Sequence, residues 1–388
     1  MTNPAALVSG LIVALMCGTW GCEADDPEVT GAGGQPAMGG DDVGGAMPMG
    51  GDDVGGAMPM GGAPMGGAMP MGGAPADCDP HPEDYPGDAW GACISDEGRY
   101  EVIDPNISSI ARIASFETIA DRLWRAAGIP SAEDFIAARE EYSAEDLLDS
   151  RVQRRYDPHY AAPEDGSSCR DPGVPDTYPD YCVGPAQILP EIVGALTAGA
   201  AGETPAANAA RVEAGLLWFL HVSVFKEAST CATKSKDCDS SWAYYTGAEQ
   251  VDGGMGYAGY IREIEPATHQ RLFDAILALR CWREQDNDPM SSSDRALHQR
   301  ALRQLDAALD RALAALLIDR LGTWATAQGD AKAAAWAFVK VLGPVADRAA
   351  RAKDAGAADR LAAAWATDGA DADGAALVRE LEALFPCP

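Results

Sequence analysis

Apolar residues recur every three or four positions through most of the C-terminal part of the chain, which is the period of an amphipathic α-helix. Between 294 and 320, leucines follow this spacing on one face, and charged side chains, among them Asp310, follow it on another. Between 205 and 230, the stretch from Leu216 to Phe225 is almost continuously apolar. The first pattern predicts a helix with one buried face, and the second predicts a central helix buried on all sides.

Other segments show the same helical period, and strand patterns are nearly absent. Ser131 and Ser143 each open a Ser-Ala-Glu-Asp run, in which the serine oxygen can accept a hydrogen bond from an early backbone N–H and begin a helix. A short hairpin is expected only at 242–262. The pattern predicts an all-α, multi-helix domain, with further helices at about 107–128, 184–200, 267–283, 331–353, 357–366 and 375–385.

Two cysteine-bearing segments, 155–183 and 229–262, interrupt the helices and are expected to be irregular loops. Ten cysteines occur in the chain, of which eight follow the N-terminal region. An even set is typical of a disulfide framework outside the cytosol. Close spacing favours three pairs and leaves a fourth, although about 105 pairings are possible. These pairs are Cys78–Cys93, Cys169–Cys182, Cys231–Cys238 and Cys281–Cys387.

The N-terminal region has a different composition. The small, apolar run from Ala5 to Trp20 is shorter than the roughly 20 residues of a membrane-spanning helix, and it is typical of a signal peptide at 1–21. The segment Thr19-Trp20-Gly21-Cys22 resembles the lipobox of bacterial lipoproteins, although that family usually has Leu where this chain has Thr19. The resemblance implies that Cys22 is diacylated and becomes the new first residue.

Gly, Met and Pro dominate the segment 22–77, which contains almost no aliphatic or aromatic anchors. Such a segment cannot bury enough apolar surface to offset the entropy of ordering, so we expect a disordered tether before the folded domain at 78–388. Its repeats include Met-Pro-Met triplets, whose thioethers suit Cu(I). Simple repeat expansion in a linker explains the same triplets, which lie at 47–49, 58–60 and 69–71.

The chain is strongly acidic, with 29 Lys and Arg against 59 Asp and Glu and a formal net charge of −30. This balance argues against nucleic acid as a partner, because phosphates are neutralised by basic side chains. It also argues against electrostatic adhesion to an anionic membrane. Contact with the membrane is therefore expected through the N-terminal lipid.

Aromatic residues concentrate around several glycines within 241–260. Aromatic rings with polar tips suit sugars and amphipathic ligands, because they bury apolar area and still offer hydrogen bonds. Packing of the same rings onto the core is the competing interpretation. The candidate ligand-binding residues are Trp242, Tyr244, Tyr245, Asp252, Tyr257 and Tyr260.

A weak calcium site is the main metal hypothesis. Asp371, Asp373 and Glu380 match positions three, five and twelve of an EF-hand loop, whereas Gly369 stands at position one, where the family uses Asp. An acidic turn that starts the last helix explains the same pattern. His221 lies in the apolar stretch without ligating neighbours one helical turn away, so we expect its ring to bond a backbone carbonyl. No other cofactor is expected.

These features predict a lipid-anchored protein of the bacterial envelope, with the outer membrane or cell surface favoured, that acts as a non-enzymatic binding or display module for an extracellular or periplasmic ligand. HExxH, GxSxG and P-loop motifs are absent. A hydrolase built from distant residues and a weak calcium-binding module remain alternatives. The predicted export, lipidation and helical fold also resemble imelysin-like envelope proteins linked to metal uptake, but the Gly-x-His-x-x-Glu motif of that family is absent.

Overall fold

The computed structural model describes residues 98–285 and 287–386, and every regular element among them is a helix. This confirms the all-α fold class. The described residues belong to one compact unit, Met69–Pro388. The predicted signal peptide, tether and copper triplets lie outside the described residues, as do Cys22, Cys78, Cys93 and Cys387.

The helices follow one another with short connections, apart from a long loop between α3 and α5. A π-helical turn at Gly184–Ile188 precedes α5, and a 3-10 turn at Gly343–Ala346 precedes α12. The α-helices are α1 (Ser109–Leu123), α2 (Ala132–Ser143), α3 (Leu148–Val152), α4 (Val174–Thr177), α5 (Leu189–Ala200), α6 (Pro205–Thr230), α7 (Ser235–Thr246), α8 (Gly256–Ile264), α9 (Pro266–Glu284), α10 (Ser292–Thr326), α11 (Gly329–Leu342), α12 (Asp347–Lys353), α13 (Ala355–Trp365) and α14 (Gly374–Leu384).

Helix α6 lies at the centre of the domain. All its residues from Val212 to Val224 are buried except Trp218, which is half-buried. Helices α5, α7 and α11 pack around it. Each fully buried Leu or Phe side chain contributes roughly 1.5–3 kcal/mol to stability, so this helix anchors the core. The prediction of a central helix covered on all sides is confirmed.

Helix α10 is the longest helix, and its leucine face packs into the core as predicted. Leu305, Leu309 and Leu313 are buried, and the helix contacts α9 and α11. The charged face is not uniformly solvated, because Asp310 is only 8% exposed. The 3-10 turn and α12 pack near this face, so the one-buried-face prediction is wrong at this position.

Two of the predicted disulfides are confirmed. Cys169 bonds Cys182 with their Cα atoms 5.3 Å apart, and Cys231 bonds Cys238 with their Cα atoms 4.7 Å apart. Cys281 is also disulfide-bonded, and its predicted partner lies outside the described residues. A short-loop disulfide stabilises a fold by roughly 2–3 kcal/mol by restricting the unfolded chain.

The hairpin predicted at 242–262 is wrong, because this segment forms the end of α7 and most of α8. Aromatic residues favour strands only where the surroundings suit them, and here burial against the core outweighs that local preference. The loop predicted at 229–262 is therefore largely helical. The loop predicted at 155–183 is confirmed, since α4 is the only α-helix within it.

The two Ser-Ala-Glu-Asp runs behave differently. Ser131 caps α2, where its Oγ accepts from the Asp134 N–H at 3.3 Å and its own N–H donates to the Asp134 carboxylate at 2.9 Å. Ser143 instead ends α2, and its hydroxyl donates to the Arg139 carbonyl at 2.8 Å. The next helix starts only at Leu148, because Asp146 adopts a left-handed conformation with φ of 61°. The second capping prediction is wrong.

Two glycines of α5 give a matched test of core packing. A Cβ at Gly199 would lie 2.3 Å from the Phe135 ring, whereas a Cβ at Gly194 meets nothing within 4 Å. We expect Gly199→Ala to destabilise the protein by about 1–3 kcal/mol through overpacking. Gly194→Ala should raise stability by up to about 1 kcal/mol, because alanine favours helix. Urea unfolding followed by circular dichroism measures both, and equal effects would contradict this packing.

Candidate functional site

Four of the proposed ligand-binding aromatics lie in the core and form no exposed surface. Trp242, Tyr244, Tyr245 and Tyr257 are each at most 3% exposed. The Trp242 ring stacks on Tyr100 with ring centroids 4.5 Å apart. Because α7 and α8 are helices packed against α1, α6 and α9, these rings fill the space between helices. The expectation of an exposed aromatic surface is wrong for them.

The other two candidates on this segment also serve the fold. The Tyr260 hydroxyl donates to the buried Glu213 carboxylate at 2.7 Å and accepts from the Trp124 indole N–H at 2.7 Å. Asp252 is exposed, and its backbone carbonyl accepts from Arg262 at 2.6 Å. Both residues therefore brace α8 against its neighbours.

Two of the three predicted calcium-binding residues have other partners. Asp373 caps α14, since its Oδ1 accepts from the Ala376 N–H at 3.0 Å. Glu380 forms an ion pair with Arg360, and Asp371 is exposed. In the part of the chain that the structure describes, no group of three or more His, Cys, Asp or Glu side chains is placed to hold a metal ion. Asp373 thus starts the last helix, and the calcium site stays a prediction.

His221 contacts a tyrosine rather than the backbone carbonyl that we expected. Its Nδ1 lies 3.3 Å from the Tyr257 hydroxyl. The side chains of α6 and α8 bring the two groups together inside the core. Burial lowers the pKa of His221 to about 4, so the ring is neutral at pH 7.

A cleft of about 870 Å³ opens beside the half-buried Trp218 of α6. Trp365 of α13 contributes a second ring, and Tyr160 contributes a third from the long loop after α3. Small-molecule sites commonly enclose about 300–1,000 Å³ and are mostly apolar with a few polar groups. The cleft fits this description. Its charged lining residues are Asp157, Asp180, Asp347, Arg348 and Arg351.

The long loop that forms one wall of the cleft is held in place at several points. The Asp157 N–H donates to the Tyr181 carbonyl at 2.8 Å, and the Gly184 N–H donates to the Arg155 carbonyl at 3.0 Å. A Cβ at Gly184 would lie 2.1 Å from the Val152 carbonyl oxygen, so only glycine fits this approach. The Cys169–Cys182 disulfide closes the loop. This wall is therefore fixed by the backbone.

His159 joins the loop to α10 through both ring nitrogens. Its Nδ1 lies 2.6 Å from Asp157 Oδ1, and its Nε2 lies 2.9 Å from Asp306 Oδ1. The ring stacks on Phe225 of α6 with centroids 4.1 Å apart. Burial lowers the pKa of His159, but the two carboxylates outweigh burial and raise it to about 9. The ring is therefore an imidazolium at neutral pH, and both of its N–H groups donate to carboxylates.

Arg348 of α12 pairs with the aspartates of α10. Its Nη2 lies 3.3 Å from Asp306 Oδ1 and 3.5 Å from Asp310 Oδ1. We call Asp157, His159, Asp306, Asp310 and Arg348 the His159 cluster. Burial and repulsion by Asp306 raise the pKa of Asp310 to about 6, and Arg348 offsets this only in part. The cluster thus links the loop, α10 and α12 by charge.

This arrangement favours positioning and binding over proton transfer by the histidine. A general base needs an unprotonated nitrogen within reach of its substrate. His159 has both nitrogens occupied by Asp157 and Asp306 and is protonated at neutral pH. Asp157 and Arg348 contact the cluster and also line the cleft, so the cluster holds the charged wall in one geometry.

Sequence reasoning missed this site because its members are far apart in the chain. His159 and Asp306 are separated by 147 positions, and Arg348 follows Asp306 by another 42. The sequence showed only that Asp310 lies one helical turn from Asp306 on the charged face of α10. Nothing local indicated that both carboxylates share a histidine and an arginine.

Comparison with family models, with curated protein sequences and with solved structures finds no significant match to this chain. Among the helices of the described residues, none is both long enough and apolar enough to cross a membrane. The cleft and the His159 cluster are therefore the features from which we infer a function.

The raised pKa of His159 predicts a pH dependence of stability. The pKa of His159 is about 9 in the folded protein, against about 6.5 for an unperturbed histidine. The stabilisation that protonated His159 gives to the folded state is therefore complete below pH 6.5 and is lost as the pH rises through 9. The loss should amount to about 3 kcal/mol in the free energy of unfolding. Urea unfolding between pH 6 and 10 should show this decrease in the parent protein and not in His159→Gln.

His298→Gln is the control for this measurement. Burial lowers the pKa of His298 to about 4, so its effect on stability is confined to pH values near and below 6.5 and has the opposite sign, with no loss as the pH rises to 10. The control should keep the full decrease. A decrease that survives in His159→Gln would contradict the imidazolium assignment.

Proposed function

We propose that the chain is a lipid-anchored protein of the bacterial envelope that captures a small, amphipathic, positively charged ligand in the cleft beside Trp218. The observation that carries the proposal is the cleft itself, with aromatic rings, aliphatic side chains and a carboxylate-rich wall. The proposal has two parts, location and ligand, and each has its own support and its own test.

The location is supported by the N-terminal sequence and by the cysteines. The apolar run before Cys22 is typical of a signal peptide, and Cys22 is placed as in a lipobox. The two described disulfides, together with the bonded Cys281, suit an oxidising compartment. From its Gly-rich sequence, we expect the segment 22–77 to have an r.m.s. reach of roughly 40 Å, enough to hold a domain clear of a membrane surface.

The apolar part of the ligand is argued from the lining of the cleft. Trp218 and Tyr160 offer accessible aromatic faces, whereas Trp365, Leu361 and Val183 line the cleft but are each at most 4% exposed. Such faces bind apolar groups by excluding water. Tryptophan and tyrosine faces also attract cations by about 0.5–2 kcal/mol.

The charge of the ligand is argued from the ion pairs around the cleft. Each guanidinium on the wall already has two carboxylates, since Arg351 contacts Asp347 and Asp359 and Arg348 contacts two aspartates of α10. Among residues 98–285 and 287–386, the hydrogen-bond partner of the Asp180 carboxylate is the Gln187 amide, 3.3 Å away. The uncompensated charge on the wall is therefore negative, and a cationic ligand complements it.

Filling the cleft should abolish binding. Ala362 lines the cleft from an exposed position on α13, whereas the next residue, Ala363, is exposed outside it. Titration calorimetry with benzyltrimethylammonium as the probe, and benzyl alcohol and benzoate as its neutral and anionic analogues, should show preference for the cation. Ala362→Trp should lose binding and Ala363→Trp should keep it. Equal losses, or equal binding of all three probes, would refute the proposed ligand site.

A second variant tests whether the charge of the Asp180 carboxylate, rather than its shape, contributes to binding in the same titration. Asp180→Asn should weaken binding of the cation by roughly 1.5- to 5-fold, the size expected for one exposed charge pair, and leave the neutral analogue unchanged. An identical effect on both probes would mean that Asp180 acts through shape alone.

The location is tested by the intact mass of the protein from its native membrane fraction, before and after reduction and alkylation. We expect a chain that starts at a diacylated Cys22, with eight cysteines that react only after reduction. An unlipidated chain with reactive thiols before reduction would overturn this part of the proposal and would leave the ligand part to its own test.

A further inference from the structure

A small cavity adjoins the cleft beside the His159 cluster. It encloses about 20 Å³, which is room for one water-sized group. Four residues line both the cavity and the cleft, so the two spaces lie side by side; these are Asp157, Tyr160, Val345 and Arg348. We call this cavity the chamber, and its polar lining residues are Asp157, His159, Tyr160, His221, Asp306 and Arg348.

The chamber lies deeper in the fold than the cleft. Val222 of α6 and Leu309 of α10 line it and are at most 3% exposed. Phe225 of α6 also lines it and stacks on the His159 ring. None of these three apolar residues lines the cleft. A group that passes from the cleft into the chamber is therefore surrounded by core side chains and by the polar groups of the His159 cluster.

Two carboxylates of the chamber each have an unused oxygen. Asp157 accepts through Oδ1 from the ring and from the backbone N–H of His159. Asp306 accepts through Oδ1 from the His159 ring and from Arg348. Among the described residues, neither Oδ2 has a hydrogen-bond donor, and neither belongs to the polar atoms that are sealed from solvent without a partner. Both oxygens are therefore able to accept from a group that enters.

His221 brings a third acceptor from the core. This residue is 8% exposed, and its Nδ1 lies 3.3 Å from the Tyr257 hydroxyl. Within residues 98–285 and 287–386, its Nε2 has no hydrogen-bond partner, and this atom is not sealed from solvent either. The ring is neutral at pH 7, because burial lowers the pKa of His221 to about 4. When Nδ1 carries the ring proton and donates it to Tyr257, Nε2 accepts a hydrogen bond.

The charges around the chamber leave a negative excess. The His159 cluster has three carboxylates against two cations, His159 and Arg348. Lys353 also acts on Asp310, but its ammonium lies over the Phe385 ring, 4.4 Å from the centroid, and it lines neither the chamber nor the cleft. One further positive charge inside the chamber therefore complements the cluster.

A primary ammonium group matches the chamber in size, charge and hydrogen bonding. It is a compact single charge with three N–H donors, and the chamber offers three unused acceptors. Hydrogen bonds from a charged donor to a carboxylate are among the strongest in proteins. A quaternary ammonium group has no N–H, and its methyl groups exceed a water-sized space.

We propose that the chamber is the head-group site of the cleft and that the ligand is a primary amine joined to an aromatic or aliphatic body through a methylene group. Its ammonium donates to Asp157 Oδ2, Asp306 Oδ2 and His221 Nε2, while its body lies in the cleft against Trp218. This inference rests on the cationic ligand proposed for the cleft and gives that ligand its chemical class.

The test is titration calorimetry of the full chain at pH 7 with benzylamine, N,N-dimethylbenzylamine and benzyltrimethylammonium. All three probes are cations at this pH, and they carry three, one and no N–H groups. Affinity should fall in that order, with benzylamine binding about tenfold more tightly than benzyltrimethylammonium. Added methyl groups bury more apolar surface, so a cleft without the head-group site would give the opposite order.

The two proposals fail in different ways in this titration. Binding of benzyltrimethylammonium with no advantage for benzylamine would overturn the head-group site and leave the cationic cleft in place. Absence of binding by all three probes would overturn both.

Matched valine variants test the chamber directly. Val222→Ile adds a methylene group to a residue that lines the chamber and not the cleft. It should lower the affinity for benzylamine to that of benzyltrimethylammonium, whose own binding stays unchanged and shows that the variant is folded. The control is Val193→Ile, at a half-buried position of α5 that lines neither space, and it should keep the tenfold preference. A preference that survives in Val222→Ile, or an equal loss in the control, would overturn the site.

The ring of His221 gives a readout that needs no variant. In ¹H–¹⁵N correlation spectra of the histidine rings, saturating benzylamine should shift the Nε2 resonance of His221, because this nitrogen becomes a hydrogen-bond acceptor for the ammonium. Saturating benzyltrimethylammonium should leave the resonance in place. An Nε2 resonance that benzylamine does not move would contradict the proposed contact.

Discussion

The burial of α6 on all its faces is the constraint on which the rest of the structure depends. A helix without a solvent face must satisfy its few polar side chains inside the protein. Glu213 does so with Arg320, 2.5 Å away, and Glu227 does so with Arg155. These partners come from α10 and from the turn after α3, so the charges of the central helix fix elements that are distant in the chain. Removing one member of such a pair costs more than the pair contributes, because the other charge stays buried.

The same constraint positions the cleft. Trp218 and Phe225 are the half-buried residues of the central apolar stretch, and residues of the long loop after α3 lie against both of them. The backbone turn after Arg155 leads directly into Asp157 and His159, and the His159 ring stacks on the half-buried Phe225 of α6. An interior ion pair at one end of the loop and a charged histidine at the next turn thus hold the wall of the cleft rigid. A preformed wall lowers the entropy cost of binding.

Local sequence patterns predicted the helices well, because helical period and apolar faces are local properties. The continuous apolar stretch of α6 and the cap at Ser131 both appear in the structure. The same reasoning failed where tertiary packing decided the outcome, as in the aromatic segment around Trp242, which is helical and buried. It also failed for the site, since a contact such as His159 to Asp306 leaves no trace in the spacing of neighbouring residues. The close-spaced cysteine pairs are the exception, because short loops restrict their partners.

The net charge of the chain describes its local electrostatics poorly, because the basic residues are unevenly distributed along the sequence and within the fold. No Lys or Arg precedes Arg99, so every cation of the chain lies in the folded part or at its start. Within that part, the structure sorts the arginines into two environments. Arg348 and Arg351 are matched by carboxylates and leave the cleft acidic, whereas Arg112 is buried beside other arginines without a carboxylate in contact. Electrostatic attraction at short range depends on the charges within roughly one Debye length, about 8 Å at physiological salt. Short-range pairing, rather than the net charge of the chain, therefore decides the electrostatic environment of each arginine in this protein.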